Sequence, residues 1–421
     1  MIIENVLKRY RRKWTPENSN RNHNLLQLNF DYSCDHKCTY CYINNVGKKY
    51  TKDIYSESSI LKNVEIIINW LNENSYSPSL CLFGGELLMK DYSYNVIQYI
   101  IENKVQKNFF ISIPTAVSFI FDEKRKQKVF DLIELGKKNN VDIKLSASID
   151  GKYMDNNNRP LRNGNMYTDD FYHELFKSHK YLHYGLHPMI YFNGIECSIQ
   201  NHLWFMEMLL QYNIDITNLS YLEVRNAGWK KEHLIHYIKF LKFLMEYGLN
   251  NSGNGEKYAE KLIRDVDTIS KIFIEHMSGL TCSAQSVHQI GVIDLKTYPC
   301  HRLKYDKFLL YEYETDGKTL TGIKEKNVEL FLAMNAMKIH NIPYCEKCLI
   351  KHFCSFGCLG SQYETTGNMF LPIPSVCRLY HVKVFTILRF LHKNDVLKFL
   401  MPQLDVNKNR SIVFYEREGL L

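Results

Sequence analysis

No run of apolar residues in this chain approaches the roughly 18 needed to cross a bilayer. No apolar segment of signal-peptide type stands near its start. These absences point to a cytoplasmic protein with no membrane partner. There is no low-complexity segment, and no long internal repeat beyond the strand–helix units described below. Charge of one sign is also scarce in any concentrated form. The formal net charge of +8 is spread over 421 residues, too diffuse to argue for nucleic acid. One dense basic run stands out, Lys8-Arg9-Tyr10-Arg11-Arg12-Lys13. It reads as a solvated arm, with contact to an acidic peptide or another anionic partner as the sharper alternative. Hydrophobic residues make up 45% and charged residues 23%, an ordinary balance for a chain that buries a sizeable core.

Cysteine is what the sequence has in quantity. Twelve cysteines in a cytoplasmic chain suit metal ligation or catalysis better than disulfides. Cys34, Cys38 and Cys41 stand at x3 and x2 spacing in one short loop, and the next cysteine is Cys81. Three thiolates suit three irons of a [4Fe–4S] cube and leave one iron for a small molecule, whereas ferredoxin-type runs supply all four ligands. A zinc knuckle that recruits His36 is the competing reading.

Periodicity organises the region after residue 25. Short strands are expected at Leu26–Phe30, Ser79–Phe83, Asn108–Ile113, Ile143–Ile149, His187–Phe192 and Leu219–Val224. Helices are expected at Ile60–Leu71, Tyr94–Ile101, Lys126–Lys137, Phe171–Tyr181, His202–Tyr212 and His233–Tyr247. Strands alternating with helices indicate βα units and a parallel sheet, which right-handed crossovers curl into a partial barrel. Active sites of such folds lie at the C-terminal ends of strands. The cysteine loop, Gly84-Gly85-Glu86 and Asp150-Gly151 all fall there. A linker is expected at 250–255, a helix at Tyr258–Phe273, and a closing helix at Val382–Leu391.

Seven further cysteines follow: Cys282, Cys300, Cys345, Cys348, Cys354, Cys358 and Cys377. Their surroundings read as strand-like. Zinc ribbons are the structural alternative for the Cys345/Cys348 pair, but thiolates in this number favour two more Fe–S clusters. Cys81 reads as a structural thiol in an apolar strand. Cys197 fits no cluster.

Taken together, the Cys34–Cys41 loop resembles that of the radical S-adenosylmethionine (SAM) enzymes, and the C-terminal pattern resembles the SPASM extension found in ribosomal-peptide maturases and anaerobic sulfatase-maturating enzymes. The resemblance covers most of residues 26–380. It implies an α/β fold, a partial (β/α)6 TIM-like barrel with a C-terminal cysteine-rich SPASM domain. The implied division is a basic arm over 1–25, the radical SAM barrel over 26–249, a linker and helix over 250–281, the SPASM domain over 282–380, and a C-terminal helix and tail over 381–421.

The resemblance also implies site residues. Cys34, Cys38 and Cys41 would hold the SAM-binding cluster, with Tyr40 near the adenine. Gly84, Gly85 and Glu86 would contact the SAM amino group. Thr115, Ser148 and Arg159 would complete the pocket, with a surface position as the competing reading for Arg159. Relatives often carry Thr-Asn-Gly where this chain has Thr115-Ala116-Val117. One auxiliary cluster would take Cys345, Cys348, Cys354 and Cys377, and the other Cys282, Cys300 and Cys358. The expected fourth cysteine after Cys282 is missing, which leaves either His288 as a ligand or an open iron that could take a substrate thiolate. A second departure is Leu295, where a glycine is usual. SAM and three [4Fe–4S] clusters are the implied cofactors. A precursor peptide and a reductant such as flavodoxin or ferredoxin are the implied partners. The implied activity is hydrogen abstraction through a 5′-deoxyadenosyl radical and cross-linking of a peptide, a thioether being favoured. Formylglycine formation and a non-catalytic Fe–S or zinc binding module are the alternatives. Many peptide maturases carry a winged recognition domain before the barrel, and with 33 residues before Cys34 none is expected in that segment.

Overall fold

Strand β1 (Leu25–Asn29) lies inside a six-stranded sheet, in the order β5 (Gly185–Leu186), β4 (Val141–Ala147), β3 (Phe109–Thr115), β2 (Ser79–Phe83), β1 and β8 (His288–Gly291), and each neighbouring pair is parallel. The computed structural model describes residues 25–43, 56–74, 78–250, 288–337, 341–351, 354 and 356–393. The basic run, the 251–255 part of the linker, the Tyr258–Phe273 helix and Cys282 lie outside the described residues.

The strand–helix alternation is as the periodicity predicts, with longer helices. After β1 come α1 (Glu57–Glu73), β2 (Ser79–Phe83), α2 (Asp91–Asn103), β3 (Phe109–Thr115), α3 (Glu123–Lys138) and β4 (Val141–Ala147). Then follow α4 (Asp169–Leu182), β5 (Gly185–Leu186), β6 (Met189–Ile190), α5 (Ser198–Gln211), β7 (Leu222–Glu223) and α6 (Lys231–Asn250). Helices α1, α3 and α4 start at polar caps. Ser56 accepts from the Ser59 N–H at 3.2 Å, Asp122 from those of Lys124 and Arg125 at 2.9 and 3.1 Å, and Thr168 from that of Phe171 at 3.3 Å. Each satisfies N–H groups the first turn leaves open.

The fifth strand differs from expectation. It begins at Gly185 rather than His187 and is interrupted between Leu186 and Met189. Pro188 has no N–H to donate to a ladder, which breaks the strand there. The two pieces still carry the sheet onward: β6 pairs with β7 in parallel, and an isolated parallel bridge joins Leu186 to Leu219. The result is a partial TIM-like barrel of six βα units.

Alternation along β3 and β4 sends Ile111, Ile113, Ile143 and Leu145 into one core with Leu28, Leu80 and Leu82. Full burial of side chains of this size contributes about 1.5–3 kcal/mol each.

The cysteine-rich region opens with β8 (His288–Gly291), which pairs in parallel with the outer side of β1. Four residues are too few to show a period, so the sequence did not disclose this join. A three-stranded sheet follows, β9 (Lys296–Thr297), β10 (Tyr311–Thr315) and β11 (Leu320–Glu325). Contrary to the strand-like expectation, the rest is helical: α7 (Val328–Ala336), α8 (Leu359–Thr366) and α9 (Pro374–Lys393). The closing helix thus starts eight residues before Val382, and Cys377 sits in its first turn.

Candidate active site

The Cys34–Cys41 loop leaves the C-terminal end of β1 and is tied down on both sides. On one side Gly85 donates to the Asp31 carbonyl at 3.0 Å and Glu86 to the Ser33 carbonyl at 3.1 Å. A Cβ on Gly85 would lie 2.1 Å from the Ser33 oxygen, so no other residue fits there. On the other side Lys37 donates to Pro160, Thr39 to Asn158 and Arg162 to Asp35, at 2.7–2.8 Å. The motifs at the ends of β1, β2 and β4 are therefore joined through backbone.

This arrangement surrounds a cavity of about 400 Å³. Cys34, Cys38, Tyr40, Cys41, Gly84, Gly85, Thr115, Ser148 and Arg159 all line it. Glu86 does not. It is buried, and its carboxylate accepts the Thr115 hydroxyl at 2.7 Å and the Ala116 N–H. Burial, with the charge of Asp35 adding to it, pushes the Glu86 carboxyl up to about 7.

Val117 follows directly, its N–H donating to the Thr115 hydroxyl oxygen at 2.9 Å. Its φ is 56°, a left-handed backbone that β-branched residues rarely adopt. It stands where the resemblance expects glycine, and Leu295, the other missing glycine, has φ 48°. Both turns keep the glycine conformation without the glycine.

Arg159 is 4% exposed, which overturns the surface reading. It donates to the Tyr40 hydroxyl at 3.0 Å and lies 3.5 Å from an Asp155 oxygen. Tyr40 also lies 2.9 Å from both oxygens of Asp150. Asp155 accepts the N–H groups of Asp150 and Gly151 at 2.7 and 2.9 Å and the Tyr172 hydroxyl at 2.8 Å. Burial raises the Asp150 carboxyl, and the Arg159 charge opposes that.

Three thiols facing one cavity offer an incomplete ligand set, which fits a cluster that keeps one position for another molecule. Burial raises Cys34 above the usual thiol range and Cys38 to about 11, so metal ligation is what would make them thiolates. The zinc alternative with His36 fits poorly. His36 Nδ1 lies 2.6 Å from Asp35 and Nε2 2.5 Å from the Tyr167 hydroxyl, so both ring nitrogens are engaged.

A second cavity of about 360 Å³ is lined by Cys345, Cys348, Cys354, Cys358 and Cys377. Cys358 and Arg225 line both cavities. Cys300 packs against the small second core with Cys345. None of the described cysteines forms a disulfide. Cys282 lies outside the described residues, as does the side chain of His288. Cys81 is half-buried on β2 and Cys197 immediately precedes α5.

Several lining residues carried no motif signal. Tyr42, whose buried hydroxyl has no hydrogen-bond partner among the described residues, lies under the Arg302 guanidinium at 5.0 Å. Arg302 forks onto Glu364 of α8 at 2.8 and 2.5 Å. Glu223, from β7, is ion-paired with Lys383 of α9 at 2.6 Å. Only the adjacency of Tyr42 to Cys41 could have drawn notice.

No curated protein matches the chain in sequence. Residues 27–167 match the family described as a 4Fe-4S single cluster domain. Among solved structures, native anSMEcpe with bound AdoMet and Cp18Cys peptide aligns at 17% identity and a TM-score of 0.59, over 89% of this chain and 100% of that one. Native anSMEcpe with bound AdoMet aligns at 16% and 0.59, over 89% and 99%. Streptococcus suis SuiB bound to S-adenosylmethionine aligns at 14% and 0.48, over 86% and 80%, too low a score to carry an argument. The chain thus has the fold of the AdoMet-bound anSMEcpe structures, and its first strands and cysteine loop fall within a match to the 4Fe-4S single cluster domain.

Proposed function

We propose that the protein is a radical SAM maturase that modifies a ribosomally made peptide. The observation that carries this reading is the convergence of Cys34, Cys38 and Cys41 with Gly84, Gly85, Thr115, Ser148 and Arg159 on one cavity. The fold shared with AdoMet-bound anSMEcpe supports it. Residues 26–249 are then the radical SAM barrel and 282–380 the auxiliary-cluster region. Bound there, SAM and the cluster would supply a 5′-deoxyadenosyl radical for abstracting a substrate hydrogen.

The chain's own residues prepare that chemistry. Cys34, Cys38 and Cys41 would hold three irons. Arg159, fixed by Tyr40 and Asp155, presents a buried positive charge for the SAM carboxylate. Glu86 orders the strand-end loop that carries Thr115 and Ala116, and it sits next to Gly85 where the SAM amino group would be met. Ser148 lies on the cavity wall with a hydroxyl for the carboxylate or ribose. Arg302 and Cys358 bring the cysteine-rich region to the wall of the same cavity.

Cys345, Cys348, Cys354 and Cys377 are four thiols for one auxiliary cluster, and Cys282, Cys300 and Cys358 are three for another. The three-thiol site favours a substrate cysteine as fourth ligand and hence a thioether product. Cp18Cys in the anSMEcpe structure is also a cysteine peptide, and formylglycine formation is the second reading. A flavodoxin or ferredoxin would be the electron donor. Incubation with SAM, dithionite and a cysteine-containing precursor peptide separates the two. A thioether appears as loss of a hydrogen pair with the sulfur retained, and formylglycine as replacement of the cysteine sulfur by carbonyl oxygen. An unmodified peptide, with SAM cleaved, contradicts the maturase assignment.

A further inference from the structure

His381 belongs to the second cavity, yet no cluster assignment uses it. It follows Cys377 by four positions on α9, so both side chains leave the same helix face, and both line that cavity. The His381 Nε2 lies 3.4 Å from the Cys348 sulfur. One turn further on, Phe385 meets the imidazole edge-on, with centroids 5.9 Å apart and planes at 66°. The ring is therefore held from the helix side and aimed at a sulfur delivered by a different segment.

We propose that His381 is a positioning residue whose Nε2–H donates a hydrogen bond to the Cys348 thiolate and raises the reduction potential of the cluster held there. The inference rests on reading Cys345, Cys348, Cys354 and Cys377 as that cluster's ligands. A thiolate accepts only, so the contact needs the imidazole as donor. A donor aimed at a ligand sulfur stabilises the more negative, reduced cluster more than the oxidised one. Hydrogen bonds to sulfur are one of the levers that set such potentials, and partners behind a ligand also fix its orientation.

The test uses the full chain carrying Cys34→Ala, Cys38→Ala and Cys41→Ala, reconstituted anaerobically, so that remaining signals come from the auxiliary sites. Midpoint potentials are read by EPR-monitored redox titration, with iron and sulfide content measured alongside. His381→Leu should lower one midpoint at unchanged iron content. His381→Gln, which keeps a donor near the same place, should return it toward the parent value. An unchanged midpoint in His381→Leu overturns the hydrogen bond and leaves the cluster assignment standing. Loss of iron in both variants overturns it too, because His381 would then be a ligand. A parent chain that takes up no iron sinks the cluster assignment, and the inference with it. Should His381→Leu not fold, pulsed EPR of the reduced parent labelled with 15N-histidine decides. Weak nitrogen coupling that disappears in His381→Gln supports the donor, while strong coupling or none overturns it.

Discussion

Arg159 donates to the Tyr40 hydroxyl at 3.0 Å, and the same hydroxyl lies 2.9 Å from both oxygens of Asp150. One phenol thus links the cysteine loop to the end of β4 and to the cavity's buried cation. Tyr40→Phe removes the link and leaves Arg159 and Asp150 each one partner short. Unsatisfied buried groups of this kind cost about 1–3 kcal/mol. Chemical denaturation should show that loss. Calorimetry should show SAM binding weakened about tenfold, equivalent to ~1.4 kcal/mol. Unchanged SAM affinity would place the network outside the binding site.

Leu295 occupies a left-handed turn at φ 48° and is 9% exposed. Leu295→Ala loses the buried side chain and keeps the unfavourable backbone. Leu295→Gly loses the same side chain but relieves the backbone, since glycine takes positive φ freely. The usual order, in which glycine is about 0.5–1 kcal/mol worse than alanine, should therefore reverse here. Urea midpoints of the two variants check this, and a less stable glycine variant would refute it.

The Glu223–Lys383 pair ties β7 to α9 with both side chains 9% exposed, and Tyr237 donates to the same carboxylate at 2.7 Å. Burial alone would raise Glu223, but Lys383 and Tyr237 outweigh it and hold the carboxyl below its usual range. A lowered carboxylate contributes stability above its unfolded pKa of about 4.3, and that stability is lost as pH falls through the lower folded value. Lys383→Met should cost about 3–5 kcal/mol at neutral pH and flatten the acid limb of the stability curve. A loss below about 1 kcal/mol would mean the pair is solvated, as exposed pairs are.

Glu86 titrates in the opposite sense. Its folded pKa of about 7 lies above the unfolded value, so its contribution is full below pH ~4.3 and declines as pH rises toward 7. At ~1.4 kcal/mol per unit the span is on the order of 4 kcal/mol. Glu86→Gln should remove this slope between pH 5 and 7, measured by denaturation at successive pH values. A slope retained in Glu86→Gln would assign it to another group.

What could be read from the chain followed from local rules. The cysteine spacings, the β2 and β4 end motifs and the helix periods each sit in one short segment, and the structure brings Cys34, Cys38, Cys41, Gly84, Gly85 and Ser148 to one cavity. Gly85 was legible as part of a motif, although its close approach to the Ser33 carbonyl was not. What stayed hidden depends on segments far apart in sequence. Arg302 meets Glu364 and His381 meets Cys348 only when the C-terminal cysteine-rich part folds on itself, and Lys383 meets Glu223 only when it folds against the barrel. Val117 and Leu295 were hidden for another reason: propensity argues against the backbone they adopt, and packing overrides it.

In the proposed function the three thiols of the first loop hold a cluster that cleaves SAM. Reconstituted protein, incubated anaerobically with SAM and dithionite, should release 5′-deoxyadenosine, and Cys34→Ala, Cys38→Ala or Cys41→Ala should abolish the release. Iron-loaded protein that forms no 5′-deoxyadenosine, or release that survives loss of these thiols, would contradict the account.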